Sequence, residues 1–113
     1  MRRFRSLALA GALSMAATAL PSIANQAAAQ QPGYLLAKRL CSSCHTIAGE
    51  PRVDSMLVDA PSFTAIANKP GQSIEVIAGH IVIPHSVMPQ VKLTRDEIAA
   101  LSAYIFSLRS GMP

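Results

Sequence analysis

Apolar positions along this chain recur at helical intervals, and no stretch alternates strictly enough to read as a strand. The pattern is clearest at the C-terminal end. There Ile98, Leu101, Tyr104, Ile105 and Leu108 recur at three- and four-residue intervals and make a single apolar face. Thr94 with Glu97 forms a capping-box pair at its start, and Asp96 stands in the first turn, where the helix dipole favours an anion. Arg109 and Gly111 are expected to close this helix as C-terminal cation and C-cap. A first helix is predicted over Gly33 to Cys44, opened by Pro32, with Leu36, Ala37 and Leu40 at helical spacing. A short helix is predicted at "PSFTAIA", starting at Pro61 or Ser62, and a third at "SIEVIAGHI" with Ser73 as N-cap. Thr46 to Ala60 reads as a loop punctuated by Gly49 and Pro51, and Pro84 and Pro89 hold "IPHSVMPQVKL" extended. The expected fold is all-α, with about four helices and a loop-rich middle.

The N-terminal stretch follows a different rule. Arg2, Arg3 and Arg5 precede a run from Leu7 to Leu20 without a charge, and Ala27-Ala28-Ala29 follows Pro21. That is the layout of a secretory signal peptide, so residues 1–29 are expected to be cleaved after Ala29, leaving a domain over 30–113 in the periplasm. The 14-residue run falls short of the roughly 18 apolar residues that a membrane anchor needs. Cleavage also changes the charge. The chain has 10 basic and 6 acidic residues, and the three arginines of the leader leave seven against six, or +1. Neither a nucleic-acid footprint nor a membrane attachment of the mature domain is expected. The 84 residues left (113 less 29) make one small domain without tryptophan. At that size a cofactor or covalent staple usefully supplements the core.

Candidate chemistry concentrates in "LCSSCHTI", which holds Cys41, Cys44 and His45. An exported pair of cysteines invites a disulfide, but so small a ring stabilises little. A thioredoxin-like redox pair needs a preceding strand, and none is predicted. His80 and His85 complete a C-x2-C…H-x4-H pattern, yet 35 residues separate Cys44 from His80, against about 12 between the pairs of a typical zinc finger, and His45 is left unused. The remaining reading employs all three residues. Two thiols add to the vinyl groups of haem, and the next histidine becomes the proximal iron ligand.

The chain also resembles the class I monohaem c-type cytochromes. The resemblance rests on "GYLLAKRLCSSCHTI", "APSFTAIA", "PHSVMPQVKLT" and "DEIAALSAYIFSLR", in that order, over essentially all of the mature chain. It implies a small cytochrome c fold wrapped around one haem c bound through Cys41 and Cys44, with the N- and C-terminal helices crossing at Gly33 and Tyr104. It further implies His45 and Met88 as axial ligands, with Met56, Met112 and above all His85 as rivals for the sixth position. Pro61 matches the proline whose carbonyl takes the proximal histidine's Nδ1 proton, although a proline at the first helical position reads the same way. Ile47, Phe63, Ile66, Ile77, Ile81, Val91 and Leu93 are expected as pocket wall on composition alone.

An iron with both axial positions filled has no open site for substrate, so the expected function is electron transfer rather than enzymatic catalysis. Expected partners are redox proteins, a dehydrogenase or a terminal oxidase, docking transiently with a monomer. Lys38, Arg39, Lys69 and Lys92 are candidates for a weakly basic rim. The alternatives are a gas-binding or sensory haem protein with a displaceable methionine, and a dedicated haem subunit of a periplasmic dehydrogenase.

Overall fold

A computed structural model of the chain describes residues 23–53 and 59–111. Most of the expected leader, and with it the rival ligands Met56 and Met112, lies outside the described residues. Four helices form the domain: α1 (Ile23–Leu40), α2 (Phe63–Ala67), α3 (Ile74–Val82) and α4 (Arg95–Ser107). No strand occurs among the described residues.

The boundaries of α1 differ from the predicted Gly33–Cys44 at both ends. Its N-terminal side runs back through the Ala- and Gln-rich stretch, made of good helix formers, so Pro32 lies inside the helix rather than at its start. At the other end the regular helix stops at Leu40. Ser42 donates its hydroxyl to the Lys38 carbonyl at 2.6 Å, the local competition that makes serine a poor helix residue. The chain then tightens into turns, with the amides of Cys44 and His45 donating to the Cys41 carbonyl at 3.2 and 2.9 Å.

Each later helix begins on a polar cap. Ser62 accepts from the Ala65 amide at 3.1 Å, and Ser73 from the Val76 amide at 3.2 Å. Ser62 is thus the cap of α2, and Pro61 lies before it, outside the first turn. Thr94 and Glu97 form the reciprocal box on α4, with 3.2 Å to the threonine hydroxyl and 2.8 Å to the glutamate. The C-terminal end departs from expectation. Leu108 is the cap of α4, and Gly111, at φ 83°, lies beyond it. Arg109 leaves the helix axis to donate to the Gln72 carbonyl at 3.1 Å.

α4 is the hub, since α1, α2 and α3 all pack against it. Leu101, Tyr104 and Ile105 on α4 are buried with Leu36 and Ala37 of α1, Phe63 of α2 and Ile77 of α3. Gly33 makes the α1–α4 crossing possible, because a Cβ there would lie 2.2 Å from the Ala100 carbonyl oxygen and 2.5 Å from Tyr104 Cβ. The Tyr34 ring meets Tyr104 edge to face at 5.8 Å, a favoured aromatic geometry. Outside this contact Lys38 pairs with Glu50 at 2.8 Å, and Tyr34 donates to the same carboxylate. These bonds tie α1 to the long loop and engage one of the four cations expected on a basic rim.

Candidate functional site

The turn after α1 aims His45 inward. Its ring is 8 % exposed and lies against Phe63, with centroids 5.3 Å apart. Nδ1 stands 2.7 Å from the Pro61 carbonyl. A carbonyl only accepts, so Nδ1 carries a proton, and in the neutral imidazole this leaves the lone pair on Nε2. A backbone bond from the Phe63 amide to the Thr46 carbonyl at 3.1 Å holds the segment bearing Pro61 against the segment bearing His45.

His45 and Met88 line the same cleft, which has a main part of about 310 Å³ and a narrow end of about 50 Å³. Cys41 borders both parts and Cys44 the narrow end. The wall of the main part is largely aliphatic: Ile66, Ile77 and Ile81 with Leu101 and Ile105 of α4. Val91 borders the narrow end. Met88 sits half-buried in a turn closed by its own amide on the His85 carbonyl at 3.0 Å, whereas the His85 side chain is exposed at the cleft border.

Two expected wall residues stand elsewhere. Ile47 is 1 % exposed within the core, and Leu93 packs against that core instead of bordering the cleft. Apolar character alone cannot tell a pocket wall from a helix interface. Leu101 and Ile105 were legible only as one apolar face of α4; their spacing of four carried the signal, but not its target. Gln72 and Lys69, in the turn between α2 and α3, also border the cleft and had no distinguishing pattern.

The alternative chemistries fare poorly here. Cys41 and Cys44 are not bridged. Burial, reinforced by the Cys44 thiol, pushes Cys41 up to about 11, opposite to the lowered value a redox-active thiol requires. No three His, Cys, Asp or Glu side chains cluster as metal donors among the described residues, so the four-ligand zinc pattern is not assembled. The donor set that does assemble is an imidazole and a thioether on one apolar cleft, with two thiols at its edge. Those residues fit a haem: an apolar slot for the ring, thiols for its vinyl groups, and nitrogen and sulfur donors for the iron.

A four-helix domain with a C-x-x-C-H turn opening onto such a cleft defines a c-type cytochrome of the single-haem, class I kind. Residues 30–109 match the cytochrome c family, and the chain belongs to it. It is similar to the cytochrome c-552 of Bradyrhizobium diazoefficiens, 41% identical over 103 residues, which are 91% of this chain and 97% of that protein. No solved structure matches the chain at a significant level. Membership makes the protein a haem-based electron carrier of a family whose haem is covalently bound and whose partners are redox proteins.

Proposed function

We propose that this protein is a periplasmic electron carrier in which Cys41 and Cys44 hold one haem c by thioether bonds and His45 and Met88 are its axial ligands. The observation that carries the reading is the 2.7 Å contact of His45 Nδ1 with the Pro61 carbonyl, made by a buried ring that shares its cleft with Met88. When bound, the haem supplies a one-electron ferric–ferrous couple. The chain's residues do the rest. The Pro61 carbonyl fixes the imidazole tautomer and raises its basicity toward the iron. The Met88 thioether favours the ferrous state and raises the potential. Pro84 and Pro89 bracket the Met88 turn and restrict its backbone. Both residues border both parts of the cleft, and Met88 is preferred to His85 because it does so from a half-buried position while His85 is exposed.

Export rests on the charged n-region, apolar run and alanine-rich cleavage site of residues 1–29. Among the described residues no helix is long and apolar enough to cross a membrane. The mature charge of +1, set against two haem carboxylates, leaves a nearly neutral molecule. Docking to redox partners is then a small, transient contact with weak salt dependence.

One preparation tests these points. The protein is expressed with its leader and a cytochrome maturation system, then recovered from the periplasm. The expected mass is that of a chain beginning at Gln30 plus one haem. The pyridine haemochrome should be of the thioether type, and the ferric form should show the weak far-red band of sulfur ligation. Met88→Ala should abolish that band, and His85→Ala should leave it. A band that survives Met88→Ala, or a protein without thioether-linked haem, refutes the assignment.

A further inference from the structure

The two ends of the cleft differ chemically. Cys44 borders only the narrow end and Cys41 borders both parts, while the turn Lys69–Gln72 borders the main part alone. No Asp or Glu is found among the described residues lining either part. Lys69 is the one lining side chain there with a permanent charge.

Its turn is held firmly from behind. Gln72, 8 % exposed, donates its amide to the Ile66 carbonyl at 3.0 Å. The Gln72 carbonyl accepts from the Arg109 guanidinium at 3.1 Å. The Ser110 amide donates to Asn68 Oδ1 at 2.9 Å. The end of α2 and the residues following α4 therefore fix the backbone on which Lys69 stands, and they bring a second cation to its back.

A haem carries its two carboxylates on the ring edge away from the vinyl groups that cysteine thiols take. With Cys44 confined to the narrow end and Cys41 where the two parts meet, the carboxylates of a haem held there would be directed toward the main part of the cleft. Carboxylates against an aliphatic wall are costly unless a counter-charge or hydrogen bonds meet them.

We infer that Lys69 is the counter-charge of the haem carboxylates, positioned by the Gln72–Arg109 brace, and that it contributes to setting the reduction potential. The inference rests on the reading that Cys41 and Cys44 carry the haem. Reduction removes one positive charge from the iron, so a fixed cation nearby favours the ferrous form. Removing that cation shifts the balance toward the ferric. Lys69 is exposed and solvent screens it, so the shift is modest: about threefold in the ferric–ferrous equilibrium, roughly 30 mV for one electron.

Spectroelectrochemical titration of the haem-loaded protein at one pH and low ionic strength tests this. Lys69→Gln should shift the equilibrium about threefold toward ferric, Lys69→Arg should stay at the wild-type midpoint, and Lys92→Gln, which changes the same net charge away from the cleft, should move it far less. The Lys69→Gln shift should shrink as salt is raised. His80 and His85 also border the main part. A shift on His80→Gln or His85→Gln with none on Lys69→Gln would overturn the inference. Equal shifts for Lys69→Gln and Lys92→Gln would overturn it as well. Unchanged absorption bands in every variant show that the haem and its ligands are intact. A wild-type protein without thioether-linked haem would instead refute the underlying site reading.

Discussion

Gly33→Ala isolates the geometry on which the domain's frame depends. The added Cβ would stand 2.2 Å from the Ala100 carbonyl oxygen, 2.5 Å from Tyr104 Cβ and 2.9 Å from the Ala100 carbonyl carbon. Favourable separations between such atoms are about 3.5–4.0 Å, so α1 and α4 must part by more than 1 Å. Two of the three atoms are backbone and the third is a Cβ, so no rotamer change relieves the clash. Overpacking of this kind costs about 1–3 kcal/mol. Alanine's helix preference over glycine returns about 1 kcal/mol. With a backbone clash the upper part of that range applies, and a net loss of about 2 kcal/mol remains, or roughly 8–16 °C in Tm for a domain of this size. Thermal denaturation of the haem-loaded protein, followed by far-ultraviolet circular dichroism, measures it. Gly79→Ala is the matched control: it lies on α3 with nothing within 4 Å of its Cβ, and should stabilise by up to about 1 kcal/mol. If Gly33→Ala melted at or above the wild-type temperature, close approach at the crossing would not be what this glycine provides.

Other expectations follow from the same geometry. Phe63→Ala removes a side chain that is 3 % exposed and packed on the His45 ring. It should cost about 3–5 kcal/mol and perturb the haem absorption bands, because the imidazole loses its lateral support; a stability loss with unperturbed bands would deny Phe63 that second role. Ser73→Ala deletes the α3 cap and should lower stability by about 1 kcal/mol, measured as a guanidinium midpoint at unchanged m-value. Glu97 is held below the ordinary 4.5 first by its bond from the Thr94 amide and then by the Thr94 hydroxyl. A carboxyl lowered on folding stabilises above 4.5 and loses that contribution as pH falls through its folded value. Glu97→Gln should therefore flatten the acid limb of a stability–pH profile below about 4.5, and an acid limb identical to wild type would remove the capping box from the account. Glu50, lowered first by its bond from Lys38 and then by Tyr34, and Glu75, lowered first by its own backbone amide and then by the Ser73 hydroxyl, act in the same window and contribute to the slope that remains.

Local patterns read well wherever neighbours in sequence are also partners in space. The N-caps Ser73 and Thr94 act on amides three residues away, so their roles needed no tertiary information. The apolar face of α4 was equally visible in its spacing. Boundaries governed by competition were harder to read. The end of α1 depends on whether Ser42 bonds the Lys38 carbonyl, and the exit of α4 on whether Arg109 finds Gln72. The first is a local competition with the helix's own bonds, and the second a contact between segments far apart in sequence.

Order along the chain determined the all-α architecture and the adjacency of Cys41, Cys44 and His45, because helical periodicity and the C-x-x-C-H spacing are properties of one segment. Which apolar residues face the cleft was decided only by tertiary packing. Ile47 is buried in the core and Leu93 packs against it without bordering the cleft, whereas Leu101 and Ile105 are core residues that also line the cleft, although all four are aliphatic. The hydrophobic effect rewards burial without specifying the neighbour. It took the crossing of α1 and α4 at Gly33, and the turn that brings Met88 to the cleft, to decide what each buried side chain would touch.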